Sequence, residues 1–480
     1  MAGWETVIGL ECHVELSTAT KMFCGCRNRF GDEPNTDTCP VCMGHPGSLP
    51  VPNAEAIRRI IKIGLALDST IAPHSLFHRK NYFYPDMPKN YQISQYDLPI
   101  CVGGHLDIDL PDGSMGTIGI TRVHMEEDTG KITHGSVSGR IHDAEHALID
   151  YNRAGVPLVE CVSEPDMRSP VEAAAYLREL RATLEALDVS DVKMEEGSLR
   201  CDANISIRPE GTAALGTKVE IKNMNSVRSL EHALTFEAER QIAALEAGQP
   251  LVQETRHWDE SAGVTTSMRS KEEAFDYRYF PEPDIPPIDP SAEWIEEIRA
   301  SVPELPRARR ARYEDELGLK PEVGRVLVAD RAAAARFEEV VALGADAKAA
   351  AGWITQDVAA LRNAGGEDHL TPRHIVDVVR LVGDGSVSTS GAKRTLEEAF
   401  ATGDGIEAIV ERLGLRQVSD VDALGAYVDD VLSENPELVE KFRSGKEAVI
   451  GALVGQVMAK TGGAGNAKVA QELLRERLRA

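Results

Sequence analysis

Ile8-Gly9-Leu10-Glu11-Cys12-His13-Val14-Glu15-Leu16 alternates between apolar and polar side chains. Successive side chains of a strand point to opposite faces, so Ile8, Leu10, Cys12, Val14 and Leu16 share one face and Glu11, His13 and Glu15 the other. Leu199 to Arg208 repeats the pattern. Leu199, Cys201, Ala203, Ile205 and Ile207 are apolar, while Arg200, Asp202, Asn204, Ser206 and Arg208 are polar. Val219 and Ile221 alternate with Lys218, Glu220 and Lys222 in the same way. Such segments predict an antiparallel sheet with one face packed and one face open. A merely solvated face carries Lys, Glu and Thr with little pattern. Glu-x-His and Arg-x-Asp-x-Asn read instead as the floor of a site.

Three helices surround these strands. Ser169-Pro170-Val171-Glu172 is a capping-box start with proline in the first turn, followed by an apolar stripe of Leu177, Leu180, Leu184 and Leu187. A second helix runs from about Ser226 through Leu230, Leu234 and Ile242 to Gly248-Gln249-Pro250. A third follows Asn53, with Ile57, Ile60, Ile61 and Leu65 on one side. All three stripes read as core packing. Phe280-Pro281-Glu282-Pro283-Asp284-Ile285-Pro286-Pro287 then breaks regular structure, because proline removes donors and restricts its neighbours. Beyond it the chain is rich in Ala, Leu, Glu and Arg at helical spacing.

A length of 480 residues suggests two to four domains, and 42 % hydrophobic residues supply sizeable cores. No apolar run reaches membrane-span length, and Met1-Ala2-Gly3-Trp4-Glu5 does not open a signal peptide, so a cytoplasmic protein is expected, with no membrane partner. A net charge of -25 argues against nucleic-acid binding through bulk electrostatics. Any RNA contact must come from local basic patches, shape or partner subunits. No G-x-x-x-x-G-K-[ST] is present, so a nucleotide site would not be a P-loop. Gly462 to Lys468 reads as a flexible turn between helices, and neither G-x-S-x-G nor an amidase signature occurs.

Four of the eight cysteines form Cys24-Gly25-Cys26, twelve residues, then Cys39-Pro40-Val41-Cys42. Two close pairs can converge on a tetrahedral ion, and an all-sulfur closed site suits structural zinc in a reducing compartment. The alternative is four reduced thiols without a metal. A second constellation comprises Glu11-Cys12-His13, His124-Met125-Glu126-Glu127-Asp128, Asp150-Tyr151-Asn152-Arg153 and Pro157-Leu158-Val159-Glu160. Carboxylates with one imidazole suit magnesium or manganese that also holds phosphate oxygens. No second imidazole stands near Glu11-His13 in the sequence, which weakens a metal-dependent hydrolase as a rival reading. A third segment, His78 to Gln92, is aromatic, basic and proline-broken in a chain with only 5 % aromatics. It could stack on bases or hold phosphates, or be a loop pinned to the core by its tyrosines. Asp276-Tyr277-Arg278-Tyr279-Phe280 has the same character.

Read together, six motifs resemble one family. They are Val7 to Leu16, Arg79-Lys80-Asn81-Tyr82-Phe83-Tyr84-Pro85-Asp86, His124 to Asp128, Asp150 to Leu158, Glu195 to Asn204, and Tyr277 to Asp284. In this order, over essentially the whole chain, they resemble the B subunits of aspartyl/glutamyl-tRNA amidotransferases. The resemblance implies an α+β fold. An N-terminal cradle domain (1–290), with an antiparallel sheet similar to that of glutamine synthetase, would precede an all-α helical domain (291–405) and an all-α tail (406–480) that grips tRNA. It implies a heterotrimer with an amidase A subunit, which releases ammonia from glutamine, and a small C subunit. The reaction implied is ATP-dependent phosphorylation of the side-chain carboxylate of Glu or Asp misacylated on tRNA, followed by amidation. The family's magnesium ligands match Glu11, His13, Glu127 and Glu160, and its zinc knuckle (24–42) matches Cys24, Cys26, Cys39 and Cys42. Lys80, Lys89, Arg153 and Arg200 are candidate phosphate contacts, with Lys80 and Arg200 also counted as catalytic. In the tail, Lys441, Arg443, Lys446, Lys460, Lys468, Arg475, Arg477 and Arg479 offer a local basic patch, although several alternate with Glu as on a solvated helix. The competing reading is a non-enzymatic, zinc-stapled scaffold subunit of an RNA-associated complex.

Overall fold

The computed structural model describes residues 3–135, 144–270, 276–417, 421–444, 446–461 and 465–479. Met1, Ala2 and Gly462-Gly463-Ala464, on which the expectation of a flexible turn falls, lie outside them. The chain divides into two compact units, Met1–Arg307 and Ala308–Ala480.

The strands of the first unit run β1 (Trp4–Glu15), β2 (Thr70–Ile71), β3 (His78–Asn81), β4 (Tyr91–Ser94), β5 (Cys101–Val102), β6 (His105–Asp109), β7 (Met115–Glu127), β8 (Lys131–His134), β9 (Ala147–Asp150), β10 (Pro157–Ser163), β11 (Leu199–Pro209), β12 (Val219–Lys222), β13 (Glu254–Asp259), β14 (Val264–Ser270) and β15 (Phe280–Pro281). Among them lie helices α1 (Ala54–Ala66), α2 (Pro170–Ala186), α3 (Val227–Glu246) and α4 (Ala292–Ala300). The main sheet has the order β14-β13-β12-β11-β1-β10-β7-β5-β2, with β6 also paired to β7. Its pairings are antiparallel except that β12 and β13 run parallel, a departure from the all-antiparallel expectation. A second sheet joins β15, β3 and β4.

β1 sits between β10 and β11 and fixes what faces what. His13 lies opposite Glu160 on one side and Arg200 on the other. Glu160 in turn lies opposite His124 on β7. Directly paired residues share a face, so the polar positions of four strands align into one wall. The apolar positions Ile8, Leu10, Cys12 and Val14 line the opposite face and are fully buried with Cys161, Cys201 and Ala203. α2 packs on β1 and α3 on β11 to cover that face. The helices start where their caps stand. The Ser169 hydroxyl accepts from the Glu172 N–H at 3.2 Å, while the Glu172 carboxylate takes the Arg168 N–H at 2.7 Å. Asn53 caps α1, and Ser226 caps α3. Leu177, Leu180 and Leu184 of α2 are wholly buried, each worth about 2–3 kcal/mol of transfer free energy.

Among its described residues the second unit is built of helices. They are α5 (Pro306–Asp315, which begins at the end of the first unit), α6 (Pro321–Val328), α7 (Arg331–Ala342), α8 (Ala347–Gly352), α9 (Ala359–Ala364), α10 (Pro372–Gly383), α11 (Thr389–Thr402), α12 (Ile406–Leu413), α13 (Val421–Glu434), α14 (Pro436–Arg443), α15 (Ile450–Lys460) and α16 (Ala467–Arg479). One π-helical turn, Trp353–Val358, joins α8 to α9. Two separate apolar clusters hold these helices. One runs from Tyr313 to Val410 and the other from Leu424 to Leu478. The protein thus has a sheet-based N-terminal region and a helical C-terminal region, as the α+β expectation has it. No helix among the described residues is long and apolar enough to cross a membrane.

Candidate functional site

The polar wall of the main sheet contains a compact imidazole–carboxylate group. His13 Nε2 lies 3.5 Å from Glu160 Oε2, and His124 Nε2 lies 3.3 Å from the same oxygen and 3.4 Å from Glu126 Oε1. One ligand atom from each of His13, Glu126 and Glu160 falls within 4.8 Å of the others, the spacing of a cation site. The group is held from behind. The Ser94 hydroxyl donates to Glu126 at 2.7 Å and the Gln92 amide at 3.2 Å, so the small sheet fixes the carboxylate.

The electrostatics follow from burial and pairing. Burial opposes charge on His124, yet Glu126 and Glu160 outweigh it and hold the imidazolium up to about 9. Burial would likewise raise the Glu126 carboxyl, but His124 and then Lys80 hold it down to about 2. Glu160 is also held well below the ordinary range, by His124 and His13 against its burial. Burial opposes charge on Lys80, and the carboxylates of Glu126 and Glu160 with Tyr279 keep it protonated. Lys80 on β3 lies opposite Gln92, whose amide reaches Glu126, so the second sheet brings it to the acids.

The sequence expectations distribute as follows. His13 and Glu160 come together. Glu11 lies two residues along the same face, where its carboxylate accepts from Asn204 Nδ2 at 2.8 Å, outside the tight group. Glu127 stands on the other face of β7, ion-paired with Lys89 and accepting from the Ile93 N–H at 2.8 Å. The carboxylate beside His13 and Glu160 is accordingly Glu126, because its register places it one position away from Glu127 and so on the opposite face. Lys89 goes with Glu127 to that far side. Arg200 reaches Asp128 Oδ2 at 2.6 Å, and Arg153 lies 3.6 Å from the same oxygen and donates to Thr129 O and Gly130 O. Burial first, and the neighbouring Asp128 second, push the Glu15 carboxyl up to about 8. The two arginines thus form a cationic end to the wall, compensated by buried Asp128.

His124 was missed as a site residue. The sequence held no second imidazole near Glu11-His13, yet pairing of β7 with β10 brings one directly beside Glu160. Period two applied to His124-Met125-Glu126 would have put His124 and Glu126 together opposite buried Met125. His124 Nε2 stands between the two carboxylates, within reach of both. Its Nδ1 is buried without a partner among the described residues.

The four cysteines converge too. Their sulfurs all lie within 4.8 Å of one another, and Cys39 and Cys42 are 3.9 Å apart. Tetrahedral zinc with bonds of ~2.3 Å requires sulfurs roughly 3.8 Å apart, so the donor set and spacing fit that ion. Hydrogen bonding from Cys24, against burial, and then the Cys39 N–H and the Lys21 ammonium pull the Cys42 thiol down to about 5. Lys21 is itself fully buried, donating to Asp37 O at 2.7 Å and Tyr151 O at 3.2 Å.

Two cavities flank the wall. An apolar recess of about 210 Å³ lies on the wall's own face, lined by Val7, Gly9, Val162 and Leu215 together with Glu11 and Asn204. A cavity of about 930 Å³ lies beyond Lys80, between β3 with its following loop and the segment leading into β15.

Fold and site together define an α+β protein whose sheet carries a group of imidazoles and carboxylates spaced so that a cation could be held, beside a knuckle of four converging thiols. Residues 6–296 match the family described as the GatB/GatE catalytic domain, and residues 335–478 match the GatB domain. The B subunit of the aspartyl/glutamyl-tRNA(Asn/Gln) amidotransferase of Moorella thermoacetica is 54 % identical over 479 residues, covering 99 % of this chain and 100 % of its own. The B subunits of the same enzyme from Carboxydothermus hydrogenoformans (100 % of this chain, 99 % of its own) and a Picosynechococcus strain (99 % and 98 %) are each 50 % identical. The chain belongs to the family of aspartyl/glutamyl-tRNA(Asn/Gln) amidotransferase B subunits.

Proposed function

We propose that this chain is the cytoplasmic B subunit of a tRNA-dependent amidotransferase, a ligase that uses ATP and glutamine-derived ammonia to convert misacylated Glu-tRNA(Gln), Asp-tRNA(Asn) or both. The observation that carries the reading is the His13–Glu160–His124–Glu126 group on an open sheet face, in a chain matching the family end to end. An A subunit would supply ammonia and a C subunit would complete the heterotrimer. The sheet is read as similar to that of glutamine synthetase, since both would activate a carboxylate without a P-loop.

The chemistry needs a leaving group, because an unactivated carboxylate would have to expel oxide. A side-chain carboxylate oxygen attacks the γ-phosphorus of ATP, and ADP leaves. Ammonia then attacks the acyl carbon, and phosphate departs with the electron pair of the broken C–O bond. His13, Glu126 and Glu160, with Glu11 adjoining, would hold magnesium. When bound, that ion supplies positive charge against phosphate oxygens during transfer. His124 fixes the two carboxylates in their charged form. Lys80 would orient the anionic substrates, and Arg200 with Arg153 would contact phosphate from the other end of the wall. The apolar recess beside Glu11 has room for the base of the nucleotide.

Cys24, Cys26, Cys39 and Cys42 would hold a structural zinc, since a four-sulfur shell leaves no position for substrate. Three domains, divided near 290 and 405, are the proposed organisation; three separate apolar clusters support the number, with Ile298 in the first and Ile406, Ile409 and Val410 in the second, each a little beyond those divisions. A scaffold subunit gives no reason for a buried imidazole–carboxylate group on an open face. The test is ATP hydrolysis by the complex with A and C partners, with and without misacylated tRNA, comparing wild type with Glu11→Ala and His13→Ala. Turnover that requires charged tRNA and disappears in both variants is expected. Equal turnover without tRNA, or in His13→Ala, would remove the kinase role.

A further inference from the structure

We propose that the aromatic cavity beyond Lys80 is the seat of the 3′-terminal adenosine of the charged tRNA. The assignment rests on the function proposed above and adds the place where the RNA end is held.

Aromatic residues make up only 5 % of the chain, yet Tyr82, Phe83, Tyr277 and Phe280 all line this one cavity of about 930 Å³. They come from the loop that follows β3 and from the segment that leads into β15, which the sequence separates widely and the pairing of Arg79 with Phe280 brings together. Phe83 is 83 % exposed and Phe280 43 % exposed, an arrangement costly in water without an occupant. The Tyr82 and Tyr277 rings meet edge to face at 6.4 Å. Cations stand with the rings. Lys80 Nζ lies 5.2 Å from the Tyr277 centroid, and Arg278 is part of the lining. Exposed rings beside a few cations are what hold unpaired nucleotides, because every base offers a π-face while cations take the backbone. A chain of net charge -25 has little other means of holding an RNA end.

Geometry selects the tRNA end over ATP. The recess beside Glu11, at about 210 Å³, is apolar and sized for one base. The aromatic cavity is several times larger and open, which suits a single-stranded terminus rather than a lone nucleotide. Lys80 joins it to the reacting group, for it lines the cavity and lies opposite Gln92 of β4, whose amide donates to Glu126 at 3.2 Å. An aminoacyl group esterified to an adenosine in the cavity would extend past Lys80 and bring its side-chain carboxylate to the cation site.

Two measurements on the complex with A and C partners test this. In the first, amidation kinetics are compared for wild type, Phe83→Ala, Tyr277→Ala and Phe83→Trp. The alanine variants should raise the KM for misacylated tRNA roughly tenfold, since one stacking contact is lost, with the KM for ATP within about twofold and Phe83→Trp close to wild type. In the second, a tRNA carrying 2-aminopurine in place of its terminal adenine is titrated with each complex. Stacking should quench its fluorescence in wild type and less in Phe83→Ala, and millimolar ATP should not relieve the quench. Unchanged tRNA KM with an undiminished quench in the alanine variants overturns the assignment. So does a rise confined to the KM for ATP, or ATP-relieved quenching, either of which gives the cavity to the nucleotide. A wild-type complex that quenches the probe but amidates neither charged tRNA would sink the proposed reaction and leave the cavity assignment standing.

Discussion

His13 and Glu160 meet because two half-buried strands pair in a register that puts like faces together, and the same register brings His124 and Glu126. One position along β7 reverses everything. Glu126 enters the cation group, whereas Glu127 pairs with Lys89 on the far side. Two substitutions of equal size should therefore differ. Glu126→Gln should shift the magnesium midpoint of ATP turnover upward by about tenfold or more, while Glu127→Gln moves it less than about twofold, since only the first removes a charged ligand. A magnesium titration of both variants decides this, and equal midpoints would contradict the placement. The local sequence His124-Met125-Glu126-Glu127 already contained the answer through period two, given that Met125 is buried. What it lacked was any sign that β7 lies against β10. Arg200 belongs to the same scale. Its substitution by Ala should depress ATP-dependent amidation while glutamine hydrolysis by the A subunit continues, as expected of a residue at the phosphate end. Equal loss of both rates would point instead to loss of structure around Asp128.

Among the elements, the knuckle from Cys24 to Cys42 has few apolar residues of its own, and it is pinned by Lys21 to Asp37 O and Tyr151 O. Its order should depend on the metal. Cys39→Ser should lower the zinc content, measured by atomic absorption, from one ion per chain towards zero, and should lower Tm by several degrees. A variant that keeps both zinc and Tm would refute a structural site. Helix α2 presents a smaller test. Ser169→Ala removes the acceptor for the Glu172 N–H and should cost about 1 kcal/mol. For a unit of this size that is a fall in Tm of roughly 2 °C by calorimetry. The cap was legible because Ser, Pro and Glu each act within one turn. The partner of Glu172 was not, since its carboxylate reaches the Arg168 N–H rather than that of Ser169.

At the level of the whole molecule, the acidic charge and the helical tail pull in opposite directions. Lys460 pairs with Glu434 at 2.6 Å and Arg477 with Asp429 at 3.3 Å, so part of the tail's cationic charge is answered locally. A tail role in tRNA binding would therefore rest on the remaining cations and on shape. Helix α12 buries Ile406, Ile409 and Val410 in the middle cluster, so a truncation that spares it ends after Gln417. That truncation should raise the tRNA KM several-fold while ATP turnover at saturating tRNA persists. An unchanged KM would take the tail out of recognition.

The sequence by itself determined the strands around Glu11, Arg200 and Glu220, the helices after Asn53, Ser169 and Ser226, the polar and apolar face of each, the four-thiol knuckle and the family. Each of these is written within a few residues or within motifs kept in order, and period two, period 3.6 and local caps act over that range. Only the tertiary structure decided that His124 joins His13 at Glu160, that Glu126 rather than Glu127 faces that group, that β13 lies parallel to β12, and that rings from the loop after β3 and from the approach to β15 line one cavity. Those facts depend on which strands pair and in what register. That is set by the summed packing of a whole sheet against α2 and α3, and it leaves no mark on any single segment.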